Sequence, residues 1–298
     1  MRDVDHANVG LVLDSFHSLA RAVPSASIGD IRPEKLFLVQ IADAPVIEMD
    51  HLNWSRHFRC MPGQGDFVLD EYTAAIRKTG YQGWWSLEVF NDRFRAGSAS
   101  QIARDGHRSL RLLDDQAARL LKTAPPMPAR VKTSGFEFIE FAASHEEAAE
   151  FGEFFTALGF APTARHRSKD VTRWQQGAIN LVVNSEPEGL AHSFDIVHGG
   201  SVCAIGLAVE DQQGALARAA ALDIPRFAQA VGPDDWEIPS LRGVGGSLLY
   251  LVDQDSRGSM WADEFPVALA GPRPGSDLTR IDHVAQSMHY EEFLSWLL

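Results

Sequence analysis

Cysteine is nearly absent. The chain has two, Cys60 and Cys203, too few for a disulfide framework and in keeping with a reducing cytoplasm. Long apolar runs are missing too: no stretch reaches about 18 consecutive apolar residues, which excludes a transmembrane helix. The opening MRDVDHANVG holds no apolar signal-peptide core. Positive charge is in deficit, 27 Lys+Arg against 40 Asp+Glu for a net of −13. A nucleic-acid-binding surface needs a basic face, so that class of function is set aside. Apolar content is ample, at 45% of 298 residues. That is enough to bury a core and to exclude a mostly disordered chain. The length suits two ordinary domains. Caps and stop signals are lacking at both ends: strand-like Val9 to Leu13 follows Met1 closely, and EEFLSWLL stops inside an amphipathic helical pattern. The expectation is a piece of a longer protein, truncated at both ends.

Two grammars divide the chain. Residues 1–121 alternate near-continuous apolar strands with helical patterns. GLVLD (10–14), LFLVQIAD (36–43) and GWWSLEVF (83–90) read as strands, and residues 15–22, 70–79 and 97–121 as helices. That order indicates parallel βα units. Residues 122–134 hold Pro125, Pro126 and Pro128, which block helix and ladder alike, and read as a linker. From 135 to 298 a βαβββ order recurs at a spacing of about 65 residues. FEFIEFAA (136–143) and SVCAIGLAV (201–209) start the two copies, and a third start is expected at Arg280-Ile-Asp-His-Val-Ala.

Several polar residues stand where chemistry would need them. Asp14 ends the first strand, with His17 three residues on. Gln40 and Asp43 lie at the end of the second strand and Glu88 near the end of the third. C-terminal strand ends of parallel βα units converge on one face. Two carboxylates and an amide oxygen there could bind a hard divalent cation such as Mg²⁺ or Mn²⁺. Helix capping is the competing reading for each acid. It suits Glu88 least, because Leu87, Val89 and Phe90 flank it. In the segment Trp54 to Asp66, Arg56 and Arg59 could hold a carboxylate, and Pro62, Gly63 and Gly65 predict a tight turn. A solvated basic loop is the alternative.

These blocks resemble a known family. Asp-x-x-His after a strand, the Pro-Gly-x-Gly turn and the strand-end Glu are similar to the xylose-isomerase-like barrel superfamily. GLVLDSFH, VQIADAP, WSRHFRCMPGQGDF and SLEVFNDRFRA resemble bacterial 3-dehydroshikimate dehydratases. FEFIEFAA, RHRSKDV, INLVVN, IPSLRGVGGSLLYLVD and IDHVAQSM resemble the 4-hydroxyphenylpyruvate dioxygenase-like domain fused to many of them. The resemblance implies an α/β plus α+β fold: about three βα units of a (β/α)₈ barrel, then a repeat pair of the vicinal-oxygen-chelate type. It implies metal-dependent loss of water from 3-dehydroshikimate to give protocatechuate, in quinate and shikimate catabolism. Mg²⁺, Mn²⁺ or Co²⁺ would be held by Asp14, Gln40 and Glu88, with a fourth ligand, a Glu, unmatched in this sequence. His17 is implied as an acid/base group. Arg59, with Ser55, is implied to grip the substrate carboxylate.

In the second part only His283 matches an iron ligand of the dioxygenases, so Fe(II) is not expected in this chain. Glu140, His166 and His198 read as ordinary hydrogen-bonded residues rather than ligands. Two other readings stay open: an Fe(II) oxygenase, and a non-catalytic fragment serving binding or assembly. An open three-stranded sheet exposes two edges, so residues 1–120 are expected to be poorly stable alone or to pair with another chain as a homo-oligomer.

Overall fold

Apolar residues spaced by two along short runs, set between helical patterns, favour a sheet covered by helices on one side. The computed structural model describes residues 6–228, 231–232, 235–269, 271 and 278–298. Two compact units form, residues 1–128 with 289–298, and residues 129–288.

In the first unit, β1 (Leu11–Asp14), β2 (Leu36–Ile41) and β3 (Trp85–Leu87) make a parallel sheet in that order. The helices are α1 (Ser15–Leu19), α2 (His51–His57), α3 (Leu69–Lys78), α4 (Asp92–Ala96) and α5 (Ala99–Leu120). Val39 and Ile41 of β2 are buried with Leu69, Tyr72, Ile76 and Leu113 of α3 and α5. By alternation Gln40 turns to the opposite face. That face is less covered: Val12 and Trp84 are 54% and 83% exposed. One expectation changes here, and the expected turn forms. Residues 51–57 form a helix, not a loop, because the Asp50 side chain caps it by accepting from Asn53 N. The Pro-Gly-x-Gly turn is held by Asp43, whose carboxylate accepts from Ala44 N, Phe67 N and Gly63 N. Gly63 adopts φ 89°. A Cβ on Gly65 would meet Asp43 and the Ala44 carbonyl at 2.5–2.6 Å, so the glycines are packing devices.

The second unit runs β4 (Thr133–Ala142), α6 (His145–Ala157), β5 (Ala161–Arg165), β6 (Val171–Gln176), β7 (Ile179–Asn184), α7 (Gly189–His198), β8 (Ser201–Val209), α8 (Gln212–Ala221), β9 (Arg226–Phe227), β10 (Ser240–Arg242), β11 (Leu248–Asp253), α9 (Arg257–Glu264) and β12 (Val267–Ala268). Its sheet has the order β12-β5-β6-β7-β4-β8-β11-β10-β9. In each copy of the repeat the first strand pairs parallel with the last, β4 with β7 and β8 with β11. The copies join through the antiparallel pair β4 and β8. Helices α7 and α9 were not expected from the sequence. The strand expected at residues 280–285 does not form, and α10 (Tyr290–Trp296) belongs to the first unit. Its segment is fastened there by Gln64 Nε2 donating to the Leu294 carbonyl at 2.7 Å and Ser295 Oγ to Asp105 at 2.5 Å.

Helix α6 begins with a capping box: Glu147 N donates to Ser144 Oγ, and the Glu147 carboxylate accepts from Ser144 N and Gly200 N. These donors hold the Glu147 carboxyl down to about 2, while burial and Glu147 itself push Asp195 up. A depressed carboxyl contributes stability above its unfolded value that is lost as pH falls through the folded one. Glu147→Gln is therefore expected to lower the melting temperature at pH 7, with the deficit closing between the ordinary glutamate value and about 2. Thermal melts at pH 7, 4 and 2 check this. A deficit that does not shrink on acidification would count against the ionised cap.

Candidate functional site

The parallel register sets Asp14 opposite Gln40, and Gln40 opposite Ser86, two residues before Glu88. Glu88 N donates to the Ile41 carbonyl at 3.0 Å, which holds the chain after β3 alongside β2. Three strand ends thus deliver Asp14, Gln40 and Glu88 to one cavity of about 720 Å³, also lined by His17, Ser55 and Arg59. Arg56 lines it too, whereas Asp43, the other strand-end acid, is taken up by the turn at Gly63.

Arg59 organises it. The side chain is 2% exposed. Its Nη1 donates to Asp14 Oδ2 and Glu88 Oε2, both at 3.0 Å. Nε donates to the Ser55 carbonyl at 2.8 Å and Nη2 to Ser55 Oγ at 2.9 Å. The guanidinium stands over the Phe16 ring, 4.7 Å from its centroid. A buried guanidinium between two carboxylates is an internal counter-ion. Gln40 Nε2 donates to Glu88 Oε1 at 2.7 Å. Burial, and then the neighbouring Asp14, push the Glu88 carboxyl up, with Arg59 opposing. Arg56 is exposed at the cavity and makes no ion pair among the described residues.

Asp14 takes the helix-capping role that was the competing reading for it, and its second oxygen faces the cavity side of Arg59. Its Oδ1 caps α1 by accepting from His17 N at 3.2 Å, and Oδ2 meets Arg59. His17 stands with Nε2 3.3 Å from Arg59 Nη2 and Nδ1 3.3 Å from His51 Nε2. Burial comes first in lowering its pKa, with Asp14 opposing and Arg59 and His51 assisting. The imidazole is therefore mostly neutral at pH 7. Sequence reading missed His51, His57 and Asp92. The last two line the cavity and pair at 2.7 Å. Only the helical start at Asp50 could have signalled His51, by bringing it one turn from the strand ends.

The donor set of two carboxylates and an amide oxygen suits a hard divalent cation. The charges of Asp14 and Glu88 call for a cation, which Arg59 supplies in this arrangement. A second group of ligand type lies in the other unit, where atoms of His166, Asp235 and Glu264 are within 4.8 Å of one another. His166 Nδ1 accepts from Ser168 N and Lys169 N, so its proton is on Nε2, facing Glu264 at 2.5 Å. Arg167 and Lys169 pair with the two acids. The group is thus already neutralised. His283 is 79% exposed and paired with Asp282 alone among the described residues, and His198 is an exposed residue against Phe194.

Residues 1–113 match the family described as xylose isomerase-like TIM barrel. Residues 128–265 match the N-terminal family of hydroxyphenylpyruvate dioxygenase. The chain joins a barrel segment to a dioxygenase-like domain. This two-part protein resembles 3-dehydroshikimate dehydratases along its whole length. It is 44% identical over 308 aligned residues to the enzyme of Pseudomonas putida and 43% identical over 307 to that of Pseudomonas aeruginosa. Each alignment takes in 100% of this chain and 48% of the relative, so the chain spans about half the length of the relatives it matches. A solved xylose isomerase-like TIM barrel/4-hydroxyphenylpyruvate dioxygenase fusion protein superposes with a TM-score of 0.90 at 42% identity, over 99% of this chain and 48% of that one. Among the described residues, no helix of the barrel segment or the dioxygenase-like domain is long and apolar enough to cross a membrane.

Proposed function

We propose that the barrel segment carries the metal-holding and proton-transfer side of a 3-dehydroshikimate dehydratase site. The observation that carries this reading is the convergence of Asp14, Gln40, Glu88 and His17 on one cavity. Asp14, Gln40 and Glu88 would hold Mg²⁺, Mn²⁺ or Co²⁺. Such a cation supplies Lewis-acid polarisation of the substrate oxygen, which lowers the barrier to removing the adjacent proton. His17, its pKa lowered by partial desolvation, accepts that proton at Nε2. Its Nδ1 contact with His51 fixes the ring's orientation. The hydroxyl then leaves with the proton that His17 took up, so one molecule of water is lost and the ring aromatises.

Arg59 and Ser55 are proposed for the substrate carboxylate, a role that requires Arg59 to exchange its present partners once Asp14 and Glu88 are neutralised. Arg56, without an ion pair among the described residues, is placed at the same cavity to share it. A cytoplasmic setting fits the two buried free thiols.

Mn²⁺-loaded protein is expected to convert 3-dehydroshikimate to protocatechuate, followed by ultraviolet absorbance. His17→Asn is expected to lower kcat about 100-fold while leaving Mn²⁺ affinity within about threefold. Unchanged kcat in that variant would remove His17 from the proton transfer. Folded, metal-loaded protein with no turnover would overturn the reading for this chain.

A further inference from the structure

The dioxygenase-like domain encloses a cavity of about 430 Å³ that the proposed reaction does not use. Phe138 and Glu140 on β4, and Val182 and Asn184 on β7, are two residues apart on neighbouring strands, so all four line one side of it. Trp236, Trp261 and Phe265 cover them. The rings are arranged as walls: Phe138 stands edge-on to Trp261 at 5.9 Å, and Trp261 lies tilted to Phe265 at 5.2 Å. An aromatic molecule entering such a space meets ring edges and faces in the arrangements aromatic pairs prefer. The volume matches small-molecule sites, which are mostly apolar with a few placed polar groups.

Glu140 is the placed group. Its Oε1 accepts from Asn184 Nδ2 at 2.7 Å, and its other carboxyl oxygen takes no hydrogen bond from a described residue. Burial pushes the carboxyl up, against Asn184 and the more distant Lys169. That oxygen faces the cavity as an acceptor for a donor on a bound molecule. Charge narrows the donor further. The cations of the lining are committed: Lys169 Nζ is 2.7 Å from Asp235, and His166 donates to Glu264. A carboxylate would enter without a partner and beside Glu140. Glu264 is already matched by His166 and Arg167, and Glu186 already accepts from Asp170 N.

We infer that this cavity binds a planar aromatic molecule without an anionic group, whose ring lies among Phe138, Trp261 and Phe265 and whose hydroxyl or amide edge donates to Glu140. The site is separate from the barrel cavity and stands whether or not the dehydratase reading does.

Titration calorimetry of the whole chain without added metal tests it, with phenol and benzamide as probes and benzoate as the charged control. Phenol and benzamide are expected to saturate one site per chain, with benzoate at least tenfold weaker. Glu140→Ala is expected to weaken phenol at least fivefold. Val182→Trp, which fills the space, is expected to abolish binding in protein whose melting curve stays cooperative. Should that variant fail to fold, Glu140→Ala carries the test. The inference is overturned by no saturable binding of either neutral probe, by benzoate binding equally well, by an unchanged Glu140→Ala, or by binding that survives in folded Val182→Trp.

Discussion

Asp14→Asn and Glu88→Gln are each expected to weaken Mn²⁺ binding by more than about 100-fold, beyond the range seen on removing a ligand's outer-shell partner, and to take dehydratase turnover below detection. The isosteric amides are chosen because Asp14 has two tasks. Its Oδ1 caps α1 at His17 N, while Oδ2 faces Glu88 across the Arg59 guanidinium. An Asn side chain still accepts the capping hydrogen bond, so the helix start is kept and the charge alone is lost. Glu88 receives Gln40 Nε2 on one oxygen, and in Glu88→Gln the side-chain amide carbonyl keeps an acceptor for that contact. Each variant therefore isolates the anionic oxygen that a hard cation prefers. Calorimetric titration with Mn²⁺, with far-ultraviolet circular dichroism as the folding control, decides the matter. Affinities within threefold of the parent would place the metal elsewhere.

Arg59→Met is expected to destabilise the barrel segment by about 3–5 kcal/mol, as for breaking a buried ion pair from one side. Removal leaves Asp14 and Glu88, 12% and 27% exposed, facing one another with no cation between them. Methionine keeps much of the apolar stem that rests against Phe16 and Phe90, so the lost term is mainly electrostatic. A sharper consequence follows. If the guanidinium supplies the charge that a metal would supply, Mn²⁺ should raise the melting temperature more in Arg59→Met than in the parent, because it restores the missing compensation. Equal metal-induced shifts in the two proteins would show that Arg59 and the metal do not answer the same need.

Asp14, Gln40 and Glu88 were legible in the sequence because parallel βα units bring every strand's C-terminal end to one rim, so a polar residue at the end of an apolar run announces its own location. The repeat in the second unit was legible for a similar reason. Each copy opens on a long apolar strand and closes on another, and the structure pairs the two ends in parallel. Arg59 was harder. Its segment reads as basic and exposed, and that description holds for Arg56. Nothing local says that Arg59 alone turns inward to carboxylates 45 and 29 residues away. Helix α2 was hidden because its start depends on one Asp50 cap rather than on an apolar period. Glu140 sits in FEFIEFAA as one of two acids in an apolar strand. Its neighbour Glu137 is met by Trp261 Nε1 and Arg257, and only the folded sheet separates the satisfied acid from the open one.

The attachment of residues 289–298 to the first unit has a bearing on how the protein is made. Synthesis delivers residues 1–128 ahead of residues 289–298, so Gln64 and Asp105, which receive Leu294 and Ser295, have to wait for them. Residues 129–288, which contain both halves of their own sheet, emerge whole in the interval. Domains generally fold as units and in order of emergence. Within this sequence, residues 289–298 therefore reach the first unit only after residues 129–288 have emerged, and until then Gln64 and Asp105 lack the partners that Leu294 and Ser295 bring.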